Sequence, residues 1–194
     1  MTIAPAFVLA SGSPRRALLL SSAGYTFTTE PPDIDETQHP DEEPAHMVLR
    51  LAGQKSEISA RPNTVILAAD TIVVLDGEVL GKPADRTHAL EMLGRMQGRS
   101  HSVLTGWSVR LEGEERFDVA ESRVTFSSRS DAELLSYVDR VEPYDKAGAY
   151  ALQGDDGWLV SSVAGSRANV MGLPLADIVI ALTDFGVERS PSNG

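Results

Sequence analysis

Residues 65–69 (VILAA) form an unbroken apolar run immediately before Asp70, and the rest of the chain must be arranged to bury it. Such a run reads as a strand inside a sheet, and this one hands the chain directly to a carboxylate. A second short run, residues 7–11 (FVLAS), reads the same way. It leads into Ser11-Gly12-Ser13-Pro14 and then into residues 15–23, which carry Leu18, Leu19 and Leu20 and stop at Gly24. That order is strand, tight loop, helix. Ser13 serves as N-cap, Pro14 as the first helical position, and Gly24 closes the end.

The remaining pattern mixes both periods. Residues 25–29 alternate as a strand, and residues 30–44 form an acidic, proline-rich loop containing Asp33, Asp35 and Glu36. A helix is predicted over residues 43–60, with Met47, Leu51 and Ile58 near helical spacing and Pro62 ending it. Residues 72–75 and 78–80 flank Asp76-Gly77 as a hairpin with a type I′ turn. Asp85 caps a helix through Met96, and Gly98 stops it. Residues 102–111 and 116–126 alternate as a long strand pair. Ser130 caps a helix to Val141, residues 158–163 form a strand, and residues 174–185 a last helix. Together these predict a mixed α/β (α+β) fold around one elongated mixed sheet, as a single domain over residues 1–187 with a disordered tail at 188–194.

Composition narrows the chemistry. The chain has no cysteine, which excludes disulfides, thiolate nucleophiles and Cys-based zinc sites. A metal must then sit on oxygen or imidazole, and carboxylates favour hard cations such as Mg²⁺ or Mn²⁺. The formal net charge of −11 argues against nucleic acid and anionic membranes as partners. No membrane span or secretory signal is visible, so a cytoplasmic protein is expected. What matters is where the 17 lysines and arginines gather.

One gathering is at the first strand–helix turn. Helix N-termini present free N–H groups and partial positive charge, and the first turn normally carries acids. Here Arg15 and Arg16 stand there instead. With the hydroxyls of Ser11 and Ser13, the flexible Gly12 and the helix amides, they suit a phosphate. The alternative is an ordinary capped helix with two solvated arginines.

Asp70 follows apolar residues at what reads as a strand end, where α/β sheets hold ligand chemistry. A carboxylate there needs a partner, a hydrogen bond or a metal. Glu36 lies in a loop that can approach it, and two carboxylates with phosphate oxygens form a Mg²⁺ shell. The alternatives are a turn-capping Asp70 and a solvated Glu36. Lys82 sits on a rigid corner between Gly81 and Pro83, and Lys55 on the second helix. Each is a point charge for phosphate or an ordinary surface lysine. His39, His46, His88 and His101 lack metal-ligand spacing and read as surface or cap residues. Met47, Met92 and Met96 read as core, and Trp107 and Trp158 as packed strand residues.

Four segments in order, residues 9–16 (LASGSPRR), 69–83 (ADTIVVLDGEVLGKP), 145–154 (DKAGAYALQG) and 171–175 (MGLPL), resemble the Maf family of nucleoside triphosphate pyrophosphatases. The resemblance spans residues 8–182. It implies an elongated mixed sheet with helices on both sides, two lobes with a deep cleft, and a homodimer. It implies a site built from Ser11, Arg16, Glu36, Lys55, Asp70, Lys82 and Gln153, with Mg²⁺ or Mn²⁺ on Glu36 and Asp70.

Arg15, Thr71 and Gln153 resemble the branch that cuts dTTP and UTP to monophosphate and pyrophosphate. The branch acting on N7-methyl-GTP carries tryptophan, glutamine and glutamate there. Uracil and thymine show two carbonyl acceptors flanking one N–H, which a Gln amide with Arg and Thr donors can match. Two rivals remain: the N7-methyl-GTP or broad-range activity, and a nucleotide-binding module without turnover, since the family was first associated with septum formation. The complete set of acids and cations speaks against the module. A phosphotransferase is disfavoured because no G-x-x-x-x-G-K-[ST] loop is present.

Overall fold

The two apolar runs are the parallel strands β1 (Ala6–Ala10) and β3 (Thr64–Leu75), in register from Ala6 opposite Thr64 to Ala10 opposite Ala68. The structure is a computed structural model that describes residues 5–190. A parallel pair needs a long crossover. The chain supplies it with α1 (Pro14–Ser22), the short strand β2 (Thr28–Thr29) beside β1, and α2 (Pro44–Ile58). β3 turns at Asp76 and Gly77 into the antiparallel β4 (Glu78–Leu80). Both turn residues have positive φ, 53° and 83°, as a type I′ turn requires.

Then come α3 (Arg86–Met96), β5 (Ser100–Leu111), β6 (Glu114–Phe126), α4 (Asp131–Val141), β7 (Val160–Ala164), α5 (Arg167–Val170) and α6 (Leu175–Asp184). Short 3₁₀ turns lie at Pro143–Asp145 and Ala147–Ala149. Two of the N-caps read from sequence form side-chain caps, whereas Ser13 occupies the N-cap position of α1 without one. Asp85 accepts from the His88 amide, and Ser130 and Glu133 make a reciprocal capping box. The strands join one mixed sheet in the order β2-β1-β3-β5-β6-β7, with β4 paired to β3. Among the described residues, no helix is long and apolar enough to cross a membrane.

The chain divides into two units. The first comprises the described residues up to Asp70, Thr105–Ala120, and those from Gly172 on. The second comprises Thr71–Leu104 and Glu121–Met171. Each has its own core. In the first, the period of two along β1 and β3 sorts side chains onto two faces. Phe7, Leu9, Val65, Leu67 and Ala69 pack with Leu20, Ile178 and Leu182, while Val8, Ala10, Ile66 and Ala68 form a separate cluster. In the second, Met92, Met96, Leu134, Val138 and Phe126 are among the core residues.

Gly106 in β5 fixes where α2 lies. A Cβ there would stand 2.4 Å from the carbonyl carbon and oxygen of Val48, so helix backbone rests directly on the strand. Two buried serines fasten the far end of the helix. The Ser108 hydroxyl bridges to Ser56 Oγ at 2.8 Å and Glu115 Oε1 at 2.7 Å.

Several expectations are corrected. Asp70 does not end its strand, because β3 continues to Leu75. The strand expected over residues 25–29 is only Thr28–Thr29. Ile58 is exposed at the end of α2. His101 is no surface or cap residue. It falls on an inward position of β5, its Nε2 lies 3.0 Å from Tyr150 Oη, and its ring meets Phe126 edge-on. Trp158 precedes β7 and stacks on Tyr137 at 5.5 Å. The tail holds defined contacts as far as it is described: Ser190 N donates to Gly24 O, and Arg189 lies over the Tyr25 ring. The remainder of the predicted disordered tail, residues 191–194, lies outside the described residues.

Candidate active site

β1 ends at Ala10, and its pairing to β3 ends opposite, at Ala68. β3 runs on, and Asp70 is the second residue beyond that point. The period of two turns it to the face of Ile66 and Ala68. Asp70 is only 8% exposed, so its charge needs a partner. Lys55 provides it from the last turn of α2, at 2.7 Å from Oδ1. The same ammonium lies 2.5 Å from Glu36 Oε1. Lys55 is itself 6% exposed, so one buried cation ties the two carboxylates predicted to act together.

At the end of β1 the chain turns into α1. Arg16 donates through Nε to Gly172 O at 2.8 Å and through Nη1 to Ser11 Oγ at 3.0 Å. Ser11 Oγ also accepts from Ser13 N. Burial pushes the Arg16 pKa below its ordinary value. Asp70 opposes that shift, the Arg15 charge adds to it, and Glu36 opposes it. The guanidinium stays charged at neutral pH. These couplings put Arg15, Arg16, Asp70 and Glu36 in one electrostatic neighbourhood. No acid stands in the first turn of α1, and the N-cap Ser13 makes no side-chain cap bond there. The helix start therefore combines the dipole and two guanidiniums without a first-turn acid, a setting for an anion. Gly12 is not demanded by packing, since a Cβ would meet only Pro31, at 3.4 Å and 4.0 Å.

The other predicted residues belong to the second unit. Thr71 is half-buried in β3. Lys82 is exposed on the corner after β4, and the preceding Gly81 O accepts from Gly148 N at 3.0 Å. Gly148 has φ 69°, and a Cβ on it would sit 2.9 Å from Val73 Cγ2. The turn at Ala147–Ala149 is thus pressed onto β3 and bonded to the lysine's corner. Gln153 is exposed and lines a cavity of about 300 Å³ with Tyr137, Arg140 and Trp158.

The structure therefore brings Ser11, Ser13, Arg15, Arg16, Glu36, Lys55 and Asp70 together in the first unit. Thr71, Lys82 and Gln153 lie in the second. Sequence reasoning missed the Gly172 carbonyl that orients Arg16, although the MGLPL segment pointed to it. It also missed Gly106, which a lone glycine in an alternating strand could have signalled.

The donor set suits a hard divalent cation. Glu36 and Asp70 converge on one ammonium, so a small cation can reach oxygens of both. Among the described residues no group of three or more His, Asp or Glu gathers as a metal cluster. Mg²⁺ typically takes one or two carboxylates and completes its shell with phosphate and water.

A family model described as Maf-like protein matches residues 6–185. A dTTP/UTP pyrophosphatase of Symbiobacterium thermophilum is 48% identical over 181 residues, covering 92% of this chain and 93% of the relative. One of Anaeromyxobacter dehalogenans is 48% identical over 188 residues, covering 95% and 96%. One of Myxococcus xanthus is 47% identical over 182 residues, covering 93% and 92%.

Proposed function

Because the chain belongs to the Maf-like family, we propose that it is a nucleoside triphosphate pyrophosphatase that hydrolyses dTTP and UTP to the monophosphate and diphosphate. The observation that carries this reading is the buried Lys55 ammonium joining Glu36 to Asp70, in the same electrostatic neighbourhood as Arg16. It sets acids for water activation beside cations for phosphate.

Arg15, Arg16 and the α1 amides hold the phosphate tail, and Ser11 fixes the Arg16 guanidinium. Asp70 orients a water molecule and accepts its proton as the oxygen attacks the α-phosphorus. The bond from that phosphorus to the bridging oxygen breaks, and diphosphate leaves with the bond's electron pair. Arg16 and Lys82 stabilise the departing charge. Lys55 holds both carboxylates in place. Glu36 and Asp70 would hold a divalent cation, which would supply Lewis-acid charge to the phosphates. Arg15, Thr71 and Gln153 read the pyrimidine. An N7-methylguanine base would call for a carboxylate where this chain has Gln153.

The test is a nucleotide panel including UTP, dTTP and N7-methyl-GTP, with pyrophosphate and phosphate measured separately, with and without Mg²⁺. Pyrophosphate release from dTTP and UTP is expected. Preference for N7-methyl-GTP would move the chain to the other branch, and tight binding without turnover would make it a binding module.

A further inference from the structure

Residues 30–43, which carry Glu36, form no helix and no strand. Irregular segments of this length in a domain are usually functional or disordered. Seven carboxylates lie in it, so mutual repulsion works to spread it. One end is tied by Glu30 to Arg61, at 2.6 and 2.7 Å. The part next to Glu36 is tied by Arg50 of α2. Arg50 donates to Glu42 Oε1 at 2.6 Å, to Glu42 Oε2 at 2.8 Å and to Thr37 O at 3.1 Å. A fourth bond, to Gln54 Oε1 at 3.2 Å, braces the guanidinium on its own helix.

The loop closes on the same carboxylate from inside. Glu42 Oε2 accepts from His39 N at 3.0 Å, and Glu42 O accepts from Gln38 Nε2 at 2.8 Å. Hydrogen bonding to Arg50 holds the Glu42 pKa down to about 2, so the clamp stays ionised at ordinary assay pH. On the other side of Glu36, Asp35 Oδ1 accepts from Thr37 N at 2.9 Å, an Asx turn around the glutamate. Glu36 is thus bracketed by its own turn and by a carbonyl that Arg50 holds. Its carboxylate is met by Lys55, five residues further along the same helix.

We propose that Arg50 is a positioning residue, which holds the Thr37–Glu42 segment on α2 so that the Glu36 carboxylate stays beside Lys55 and Asp70. The proposal rests on the pyrophosphatase reading and names a residue outside its chemistry. Lysine cannot replace it fully, because one ammonium cannot span two carboxylate oxygens and a carbonyl in a plane.

The test compares the wild-type chain with Arg50→Ala, Arg50→Lys, Glu42→Gln and Glu36→Gln. It measures kcat and KM on dTTP with saturating Mg²⁺, the Tm, and amide exchange of residues 36–42 in the unliganded protein. Arg50→Ala is expected to lower kcat about 10- to 100-fold, the scale of a misplaced catalytic group, with KM changed less than about threefold. Exchange at residues 36–42 rises while the rest of α2 keeps its protection. Arg50→Lys falls between. A kcat within about twofold of wild type, or unchanged exchange at residues 36–42, overturns the proposal. If Arg50→Ala does not fold, Glu42→Gln opens the same clamp from the loop side, and its failure to lower kcat is equally contrary. Loss of turnover in Glu36→Gln with none in Arg50→Ala sinks this proposal alone. Full turnover in Glu36→Gln sinks the role of Glu36 as well. A wild-type chain inactive on dTTP and UTP fails the functional reading, and the exchange arm then decides the clamp by itself.

Discussion

Asp70 and Lys55 are both nearly buried and offset each other's charge at 2.7 Å, with Glu36 a second partner of the ammonium. Asp70→Asn keeps an oxygen for Lys55 but removes the carboxylate proposed as proton acceptor. It should cut kcat by about 100-fold or more with an unchanged circular dichroism spectrum. Retention of more than about a tenth of the rate would remove Asp70 from the role of base. Gln153→Glu replaces a donor–acceptor amide by acceptors only, which on the proposed reading would meet carbonyl acceptors of the base. It should lower kcat/KM on dTTP and UTP by about tenfold, and unchanged selectivity would take Gln153 out of base reading. His101 adds a pH dependence unrelated to the chemistry. Burial lowers its pKa from about 6.5 to about 4. Between those values the unfolded chain binds a proton that the folded chain refuses. The stability is therefore whole above about pH 6.5 and is lost as pH falls toward 4. At pH 5 the loss is about 2 kcal/mol. Urea midpoints at pH 7 and pH 5 should separate less in His101→Gln than in the wild type, and equal separations would contradict this role for the ring. That histidine was not legible as core, because a polar ring gives no sign of the inward strand position it occupies.

At the scale of elements, the position of α2 decides the site, since the helix carries Lys55 and also Arg50. Gly106→Ala forces a methyl into the Val48 backbone at 2.4 Å. The helix must lift from β5, at a cost of about 1–3 kcal/mol, and kcat should fall with it because Lys55 moves. A variant with wild-type denaturation midpoint and kcat would show that the contact is not structural. Most elements were legible because caps and apolar periods agreed: Ser13 with Pro14, Asp85 and Ser130 each opened a helix where the structure has one. Asp70 read as a strand end because Asp-Thr interrupts the apolar run. The strand passes through because Lys55 satisfies the carboxylate without a turn. Arg50 was invisible for the opposite reason. It looks like any solvated arginine on a helix until the irregular loop is seen folded back onto it.

At the scale of the molecule, a chain of net charge −11 concentrates Arg15, Arg16 and Lys55 around two acids at one end of β1. The motif order was readable from sequence, and the carboxylate–cation set followed from the family resemblance those motifs carry. The Lys55 bridge was not readable, since it depends on where two distant segments meet. The central claim is that water attacks the α-phosphorus. Hydrolysis of dTTP in ¹⁸O-labelled water, followed by mass spectrometry of both products, tests it directly. The account predicts one labelled oxygen in thymidine monophosphate and none in diphosphate. Label in the diphosphate, or orthophosphate as the product, would contradict it.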